Sequence, residues 1–125
     1  MANISVTACN LETYRTAEDY ATAAATSAVA DAAETFEFTA NGKPFIVLAT
    51  AAASQGSVAL EFAKGTMWAK KAVAIGSAVQ GKTTAFLCEP AYGVNDDDKI
   101  VIKATPASGK KLYTDHTFTI GVLQL

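Results

Sequence analysis

Apolar and polar residues alternate strictly in the stretch Thr35-Phe36-Glu37-Phe38-Thr39. Because successive side chains of a β-strand point to opposite faces, this spacing places both phenylalanines on one face. The opposite face then carries the threonines and the glutamate. A strand that buries one face and exposes the other is typical of antiparallel sheets. The stretch therefore predicts an all-β fold.

The same alternation recurs along the rest of the chain, for example in Val58, Leu60 and Phe62. The predicted strands cover residues 3–8, 35–40, 45–50, 57–63, 72–75, 82–88, 99–105 and 117–125. Turn signals separate them, and the strongest is Asn41-Gly42-Lys43-Pro44. The stretch Phe45-Ile46-Val47-Leu48 is apolar on both faces, which predicts a strand covered on both sides. Short strands at even spacing predict a single antiparallel β-sandwich, either Ig-like or jelly-roll-like.

Residues 11–33 do not follow this pattern. The segment is rich in alanine and threonine, and alanine favours a helix. However, large apolar residues do not recur every three or four positions, so a helix would have no apolar stripe to pack. We interpret the segment as an extended or loosely ordered arm that could include one helical turn at 17–23. Residues 1–34 are thus assigned to an N-terminal strand and arm, packed on or extending from the domain, and residues 35–125 to the β-sandwich core.

Composition limits the classes of partner. The net charge is −2 and only 18% of the residues are charged, so no basic surface for nucleic acid is expected. There is no apolar run of about 18 residues, and we expect no membrane span. The start of the chain does not resemble a secretory signal. Cys9 and Cys88 are predicted to be free thiols, and Cys88, in the apolar run Phe86-Leu87-Cys88, is predicted to be buried and inert.

Residues with catalytic or metal-binding chemistry are sparse. Asp96-Asp97-Asp98 is interpreted as a solvated turn, because adjacent side chains diverge and the spacing of a calcium loop is absent. His116 is the sole histidine. Residues 104–111 have a superficial likeness to a phosphate-binding loop, but the first glycine is missing and the segment joins two predicted strands. We therefore predict a protein that is not an enzyme, with no cofactor and no metal.

Large aromatic side chains outside the predicted strands are the remaining candidates for function. Exposed aromatic residues often anchor protein contacts or stack on sugars, although each one more often covers a small core. The candidate protein-contact residues are Tyr14, Tyr20, Met67, Trp68 and Tyr92. Taken together, they favour a contact protein over an enzyme.

The order of strands and turns resembles that of a known group. The segments that carry the resemblance are Gly42-Lys43-Pro44-Phe45-Ile46-Val47-Leu48-Ala49-Thr50, Gly56-Ser57-Val58-Ala59-Leu60-Glu61-Phe62, Gly81-Lys82-Thr83-Thr84-Ala85-Phe86-Leu87, Glu89-Pro90-Ala91-Tyr92-Gly93, Asp98-Lys99-Ile100-Val101-Ile102 and Phe118-Thr119-Ile120-Gly121-Val122-Leu123. This layout, over about residues 33–125, is similar to that of small structural proteins of tailed bacteriophages that decorate the capsid.

The resemblance implies a virion protein that is made in the host cytoplasm and binds the outer surface of the assembled capsid. Its partner would be the major capsid protein of the assembled shell, with self-association as a further possibility. The N-terminal arm would become ordered against a neighbouring subunit, which favours binding to the lattice over binding to free subunits. Two alternatives stay open: a tail or baseplate β-sandwich that assembles as rings, and a carbohydrate-binding sandwich that uses Trp68 and Tyr92.

Overall fold

The protein is an all-β molecule. The computed structural model describes residues 3–10, 21–53, 56–63, 73–89, 99–113 and 117–125. These residues form ten strands: β1 (Ile4–Ser5), β2 (Cys9–Asn10), β3 (Thr22–Ala24), β4 (Glu34–Thr39), β5 (Phe45–Thr50), β6 (Val58–Phe62), β7 (Val73–Ala78), β8 (Thr83–Cys88), β9 (Lys99–Thr105) and β10 (Thr119–Gln124). The described part of the chain contains no helix that is long and apolar enough to cross a membrane.

The strands form two sheets that pack face to face, as predicted for a sandwich. Sheet A has the order β1-β4-β9-β6-β7, and sheet B has the order β2-β10-β5-β8. Strand β3 also pairs with β10, on the same edge as β2. The expectation of purely antiparallel pairing needs a correction, because β1 runs parallel to β4 and β2 runs parallel to β10. Both parallel pairs are formed by the N-terminal chain, which follows the edges of sheets that are otherwise antiparallel.

The chain changes sheet at most of its turns. From β4 to β10, only β6 and β7 are both consecutive in sequence and paired. The turn at residues 41–44 lies where it was predicted, yet it joins β4 of sheet A to β5 of sheet B. Gln124 holds this turn against β10: its side-chain oxygen accepts from the Asn41 N–H (2.9 Å), and its amide donates to the Thr39 carbonyl (3.1 Å).

The core lies between the two sheets and consists of the apolar residues that the alternation predicted. Phe36 and Phe38 are buried, as are the alternating apolar residues of β6, β9 and β10. The phenylalanine rings make edge-to-face contacts across the sandwich. The ring pairs are Phe38–Phe45 (5.1 Å), Phe45–Phe62 (6.0 Å) and Phe36–Phe118 (6.0 Å). Such pairs contribute beyond the area they bury, so they help to align the sheets.

Strand β5 departs from its prediction. Phe45 and Val47 are fully buried in the core, but Ile46 and Leu48 lie on the outer face of sheet B and are only half-buried. Both faces of the strand are apolar, yet the described residues cover only one of them. The outer face is taken up below.

The N-terminal chain lies on the sandwich wherever it is described. Between β1 and β2 it crosses from sheet A to sheet B, and Val6 is buried at the crossing. Further along, Thr22–Ala24 is a strand, so the expected helical turn is wrong for residues 22–23. Residues 11–20 lie outside the described chain. Alanine suits β3 because a small side chain allows Ala23 to pack into the core at the edge of β10.

Strand β7 is longer than predicted, because Gly76 does not begin a turn. It lies within the strand at φ 152°, beside a register shift opposite Leu60 and Glu61. A Cβ atom at this position would lie 2.7 Å from the Phe86 ring. A glycine inside a strand often marks a close approach of another group, and here that group is the Phe86 ring of the facing sheet. The turn follows at residues 79–82.

The remaining motifs have structural surroundings or lie outside the described residues. Neither cysteine forms a disulfide, Cys88 is buried as predicted, and burial raises the pKa of its thiol to about 11. In the segment 104–111, β9 ends at Thr105 and the Gly109 N–H donates to Asp31 Oδ1 (2.6 Å). The Gly109 N–H, which a phosphate-binding loop would offer to its ligand, is therefore already bonded to a carboxylate. Asp96-Asp97-Asp98 and His116 are not among the described residues.

Candidate protein-contact surface

None of the contact residues predicted from the sequence can be placed. Tyr14, Tyr20, Met67, Trp68 and Tyr92 all lie outside the described residues. Among the residues that are described, no three His, Cys, Asp or Glu side chains are grouped so that they could hold a metal ion. The candidate site is therefore built from the outward-facing side chains of the two sheets, which differ sharply in chemistry.

The outer face of sheet A carries charges of both signs. Lys99 pairs with Glu37 (3.6 Å), and Lys103 pairs with Glu61 (3.9 Å), each across neighbouring strands. These side chains are partly exposed, so each pair contributes at most about 1 kcal/mol to folding. The pairs are more informative about what this face contacts, because charges of both signs on a sheet face are typical of a surface in contact with water. This face resembles an ordinary solvated surface.

Among the described residues, the outer face of sheet B carries no such pairs. Strand registers place its outward residues in three rows across β8, β5 and β10: Leu87, Ile46 and Leu123; Ala85, Leu48 and Gly121; and Thr83, Thr50 and Thr119. None of these residues is charged. We call these three rows the uncharged face.

The uncharged face has an apolar end and a hydroxyl end. At the apolar end Leu87 is 73% exposed, and Ile46 beside it is half-buried. At the other end, the hydroxyl groups of Thr50 and Thr83 share a hydrogen bond of 2.8 Å. A single exposed leucine is common on protein surfaces, but a row of three aliphatic side chains across neighbouring strands is the kind of apolar surface that marks contacts.

Strand β8 forms one edge of sheet B. Its start is set by a tight turn, in which the Lys82 N–H donates to the Val79 carbonyl (3.1 Å). Gly81 occupies the third position of the turn with φ 74°, as a type II turn requires. The Gly81 N–H donates to the Ala51 carbonyl (2.8 Å), and the Ala51 N–H donates to the Lys82 carbonyl (3.2 Å). This is the geometry of a β-bulge with glycine in its first position.

The bulge determines which backbone groups of β8 face outward. Residue pairs with and without backbone hydrogen bonds alternate along an antiparallel ladder. Ala51 is hydrogen-bonded to the bulge, so the next pair, Thr50 with Thr83, has no backbone hydrogen bonds between its members. The short bond between their hydroxyl groups agrees, because side chains approach most closely in such pairs. It follows that Thr84, Phe86 and Cys88 bond to β5. The N–H and C=O groups of Thr83, Ala85 and Leu87 point away from the sheet.

A groove runs between β8 and β7, the facing edge of sheet A. Its volume is about 470 Å³, and its lining includes Phe62, Ile75, Phe86 and Leu87. On the opposite side of the sandwich, the N-terminal chain crosses between the sheets, and Val6 is buried at the crossing. The β7–β8 side is bridged by the turn at residues 79–82 at one end. The edge of β8, which pairs with no other strand than β5 among the described residues, thus adjoins the groove and the uncharged face.

Sequence reasoning missed this surface. A signal was present in the apolar residues at both odd and even positions of β5, which were expected to be covered on both sides. Comparison with known proteins adds no further guide: no family model, curated protein or solved structure matches the chain.

Proposed function

We propose that the protein is a structural protein that binds the outer surface of an assembled phage capsid and stabilises contacts between major capsid subunits. The observation that carries the binding role is the contrast between the two outer faces. One face pairs its charges in the manner of a solvated surface, whereas the other presents uncharged side chains only. The capsid as partner rests on the resemblance of the strand and turn layout to decoration proteins.

The uncharged face indicates the chemistry of the partner surface. Burying a charged group without a partner is costly, so a surface without charge is matched best by another uncharged surface. The apolar row of Leu87, Ile46 and Leu123 would supply most of the binding free energy through loss of water contact. The threonine row would supply hydrogen bonds at the rim. This division between an apolar centre and a polar margin is common in protein interfaces.

A repeated shell makes a modest face sufficient. Each copy would contact adjacent capsid subunits, and a copy that bridges two subunits gains from the second contact without a new loss of translational freedom. We assign docking to the uncharged face and not to the arm, because Ala23 and Ala25 anchor the described part of the arm in the core of the sandwich. Stronger binding to assembled lattice than to free subunits is expected from bridging alone.

The test is co-sedimentation of the purified protein with phage capsids that lack it, beside unassembled capsid protein. The informative variant is Ile46→Lys, which places a charge at the centre of the apolar row while the lysine stem retains some apolar contact. Its matched control is Val101→Lys, the same kind of change on the outer face of central strand β9 in sheet A. We expect saturable binding of the wild type and the control to capsids, and at least tenfold weaker binding of Ile46→Lys.

Two outcomes would contradict the proposal. Equal loss of binding in both variants would show that the uncharged face has no special role. Absence of binding to capsids would remove the capsid as partner, and binding to isolated tail assemblies or saturable binding to glycans would then favour the corresponding alternative.

A further inference from the structure

We propose that β8 pairs antiparallel with β8 of a second copy of this chain, so that two B sheets join into one continuous sheet across a twofold axis. This inference does not depend on the capsid as partner. An edge strand with free N–H and C=O groups is a template for another strand. Among the described residues, β8 pairs with β5 alone.

The other sheet edges are less suited to accept a strand. β1 and β2 have two residues each, and β3 has three. Strand β7 contains the register shift and Gly76, and such irregularities discourage pairing. By contrast, β8 has six residues in regular register with β5, and none of them is charged or proline. Natural edge strands commonly carry such protective residues, and their absence from β8 indicates that the edge has a partner.

The outward backbone groups of β8 determine the register of the pair. Side chains that face each other across an antiparallel pair must lie on the same face of the sheet. Centring the pair on Ala85 meets this condition and places Thr83 opposite Leu87 of the second copy. The residues whose N–H and C=O groups point outward are then all bonded, within the limits of the strand. Moving one copy by two residues along the other would instead place Thr83 opposite Glu89, which lies beyond the end of the strand.

The charges that flank β8 favour an antiparallel copy as the occupant. Lys82 precedes the strand and Glu89 follows it, and both are exposed. In the Ala85-centred register, Lys82 of one copy lies opposite Cys88 of the other, next to Glu89. Residues of opposite charge therefore lie near each other at both ends of the pair, although on opposite faces of the sheet, whereas a parallel arrangement would place like charges side by side. Charge complementarity of this kind selects orientation.

The pairing leaves the proposed docking surface accessible. Strand addition extends a sheet sideways, so the outer faces of both copies remain open and form one larger surface. The apolar rows of the two copies then lie on the same side of the joined sheet. A dimer presents the uncharged face twice, which increases its avidity for any repeated partner.

The test introduces a positive or a negative charge at Ala85 and measures dimerisation of the full chain by sedimentation velocity over a range of concentrations. Ala85 is exposed, and it would face Ala85 of the second copy. We expect the wild type to dimerise, and Ala85→Lys and Ala85→Glu each to dimerise roughly fivefold more weakly, because like charges directly opposite destabilise a strand pair. An equimolar mixture of the two variants should recover dimerisation. This recovery also shows that each variant is folded.

The matched controls are Ala59→Lys and Ala59→Glu, on the exposed outer side of β6 in sheet A, which should dimerise as the wild type does. A wild type that stays monomeric at all concentrations would overturn the proposal. So would dimers that are insensitive to both Ala85 variants, or closed rings of more than two copies. Failure of capsid binding would leave the sedimentation result unchanged, so the two proposals are tested separately.

Discussion

At the scale of single residues, Glu34 is the most consequential polar side chain in the described chain. It is 2% exposed at the start of β4. Its carboxylate accepts hydrogen bonds from the Thr26 N–H (2.9 Å), the Thr26 hydroxyl (2.7 Å) and the Ser27 N–H (3.1 Å). A buried carboxylate is tolerated only where donors compensate it, and here the donors come from the N-terminal arm. Glu34 therefore fastens the arm to the sandwich.

The first prediction follows from these bonds. Glu34→Ala should lower the free energy of unfolding by about 2–3 kcal/mol, because it removes charge-assisted bonds and leaves backbone donors unpaired. Glu37→Ala, on the same strand but in a partly exposed ion pair, should lower it by less than about 1 kcal/mol. Urea denaturation of both variants measures the difference. Equal effects would show that the arm is not held by Glu34.

The second prediction concerns Cys88. Burial raises the pKa of its thiol to about 11, so at pH 8 only roughly one molecule in a thousand carries the reactive thiolate. In a Cys9→Ser variant, Cys88 should react with a thiol reagent only after denaturant is added. The reciprocal Cys88→Ser variant keeps the half-buried Cys9, which should react faster in the folded state. Rapid labelling of Cys88 in the native protein would contradict its burial.

The same shift has a consequence for stability. The pKa of the Cys88 thiol is higher in the folded state than its ordinary value of 9.0, so the folded protein holds the proton more tightly. Stability is unaffected at pH values well below 9. It falls as the pH rises from about 9 to about 11, because the unfolded chain then ionises first.

At the scale of elements, β8 has two chemically different backbone edges. The alternation of hydrogen-bonded pairs directs the Thr84 N–H to β5 and the Ala85 N–H away from β5, toward the outer edge of the sheet. Proline lacks this N–H, so it is tolerated at a strand position whose N–H points outward and disrupts one whose N–H is bonded.

The third prediction uses this difference. Thr84→Pro should lower the free energy of unfolding by about 2 kcal/mol or more relative to Thr84→Ala, since it leaves a ladder carbonyl without its donor. Ala85→Pro should lower it by less than about 1 kcal/mol. Thermal and urea denaturation at concentrations where all variants are monomeric give the comparison. A reversed order of stability would place the open edge on the other set of residues and remove the register proposed for the dimer.

At the scale of the whole molecule, the two ends of the chain have unequal roles. Strand β10 lies inside sheet B, between β5 and the N-terminal strands β2 and β3, and it contributes Ile120 and Val122 to the core. Strand β1 lies at the edge of sheet A and pairs over only two residues of β4. Since the sheets are assembled from pairings distant in sequence, neither sheet is complete before the C-terminal strands are present.

The fourth prediction compares truncations at the two ends. A chain without residues 117–125 should show no cooperative unfolding transition. The truncation removes β10 from the middle of sheet B and Phe118 from the core. A chain without residues 1–5 should fold with a lower transition midpoint. Circular dichroism during heating distinguishes the two outcomes, and a cooperative transition in the C-terminal truncation would contradict the central role of β10.

Alternation with a period of two was sufficient to predict much of the architecture. It predicted the strands from β4 onward, although not the full length of β7, and the buried side of β4, β6, β9 and β10, because a one-residue shift would expose every apolar side chain. It did not predict β2 or β3. Turn residues predicted most of the boundaries. The turn predicted to begin at Gly76 was wrong. The sequence does not distinguish a glycine that begins a turn from one that makes room for the Phe86 ring inside a strand.

The sequence by itself determined most of the strands from β4 onward, and the buried face of those that alternate apolar and polar residues, because both depend on the local spacing of side chains. Only the tertiary structure decided which strands are neighbours. Strand pairing places Leu87, Ile46 and Leu123 in one row, puts β8 at the edge of sheet B among the described strands, and brings Glu34 to the arm. These residues are far apart along the chain, and no local rule relates them. The candidate surface arises from that long-range register, which is the physical reason it could be recognised only in the folded molecule.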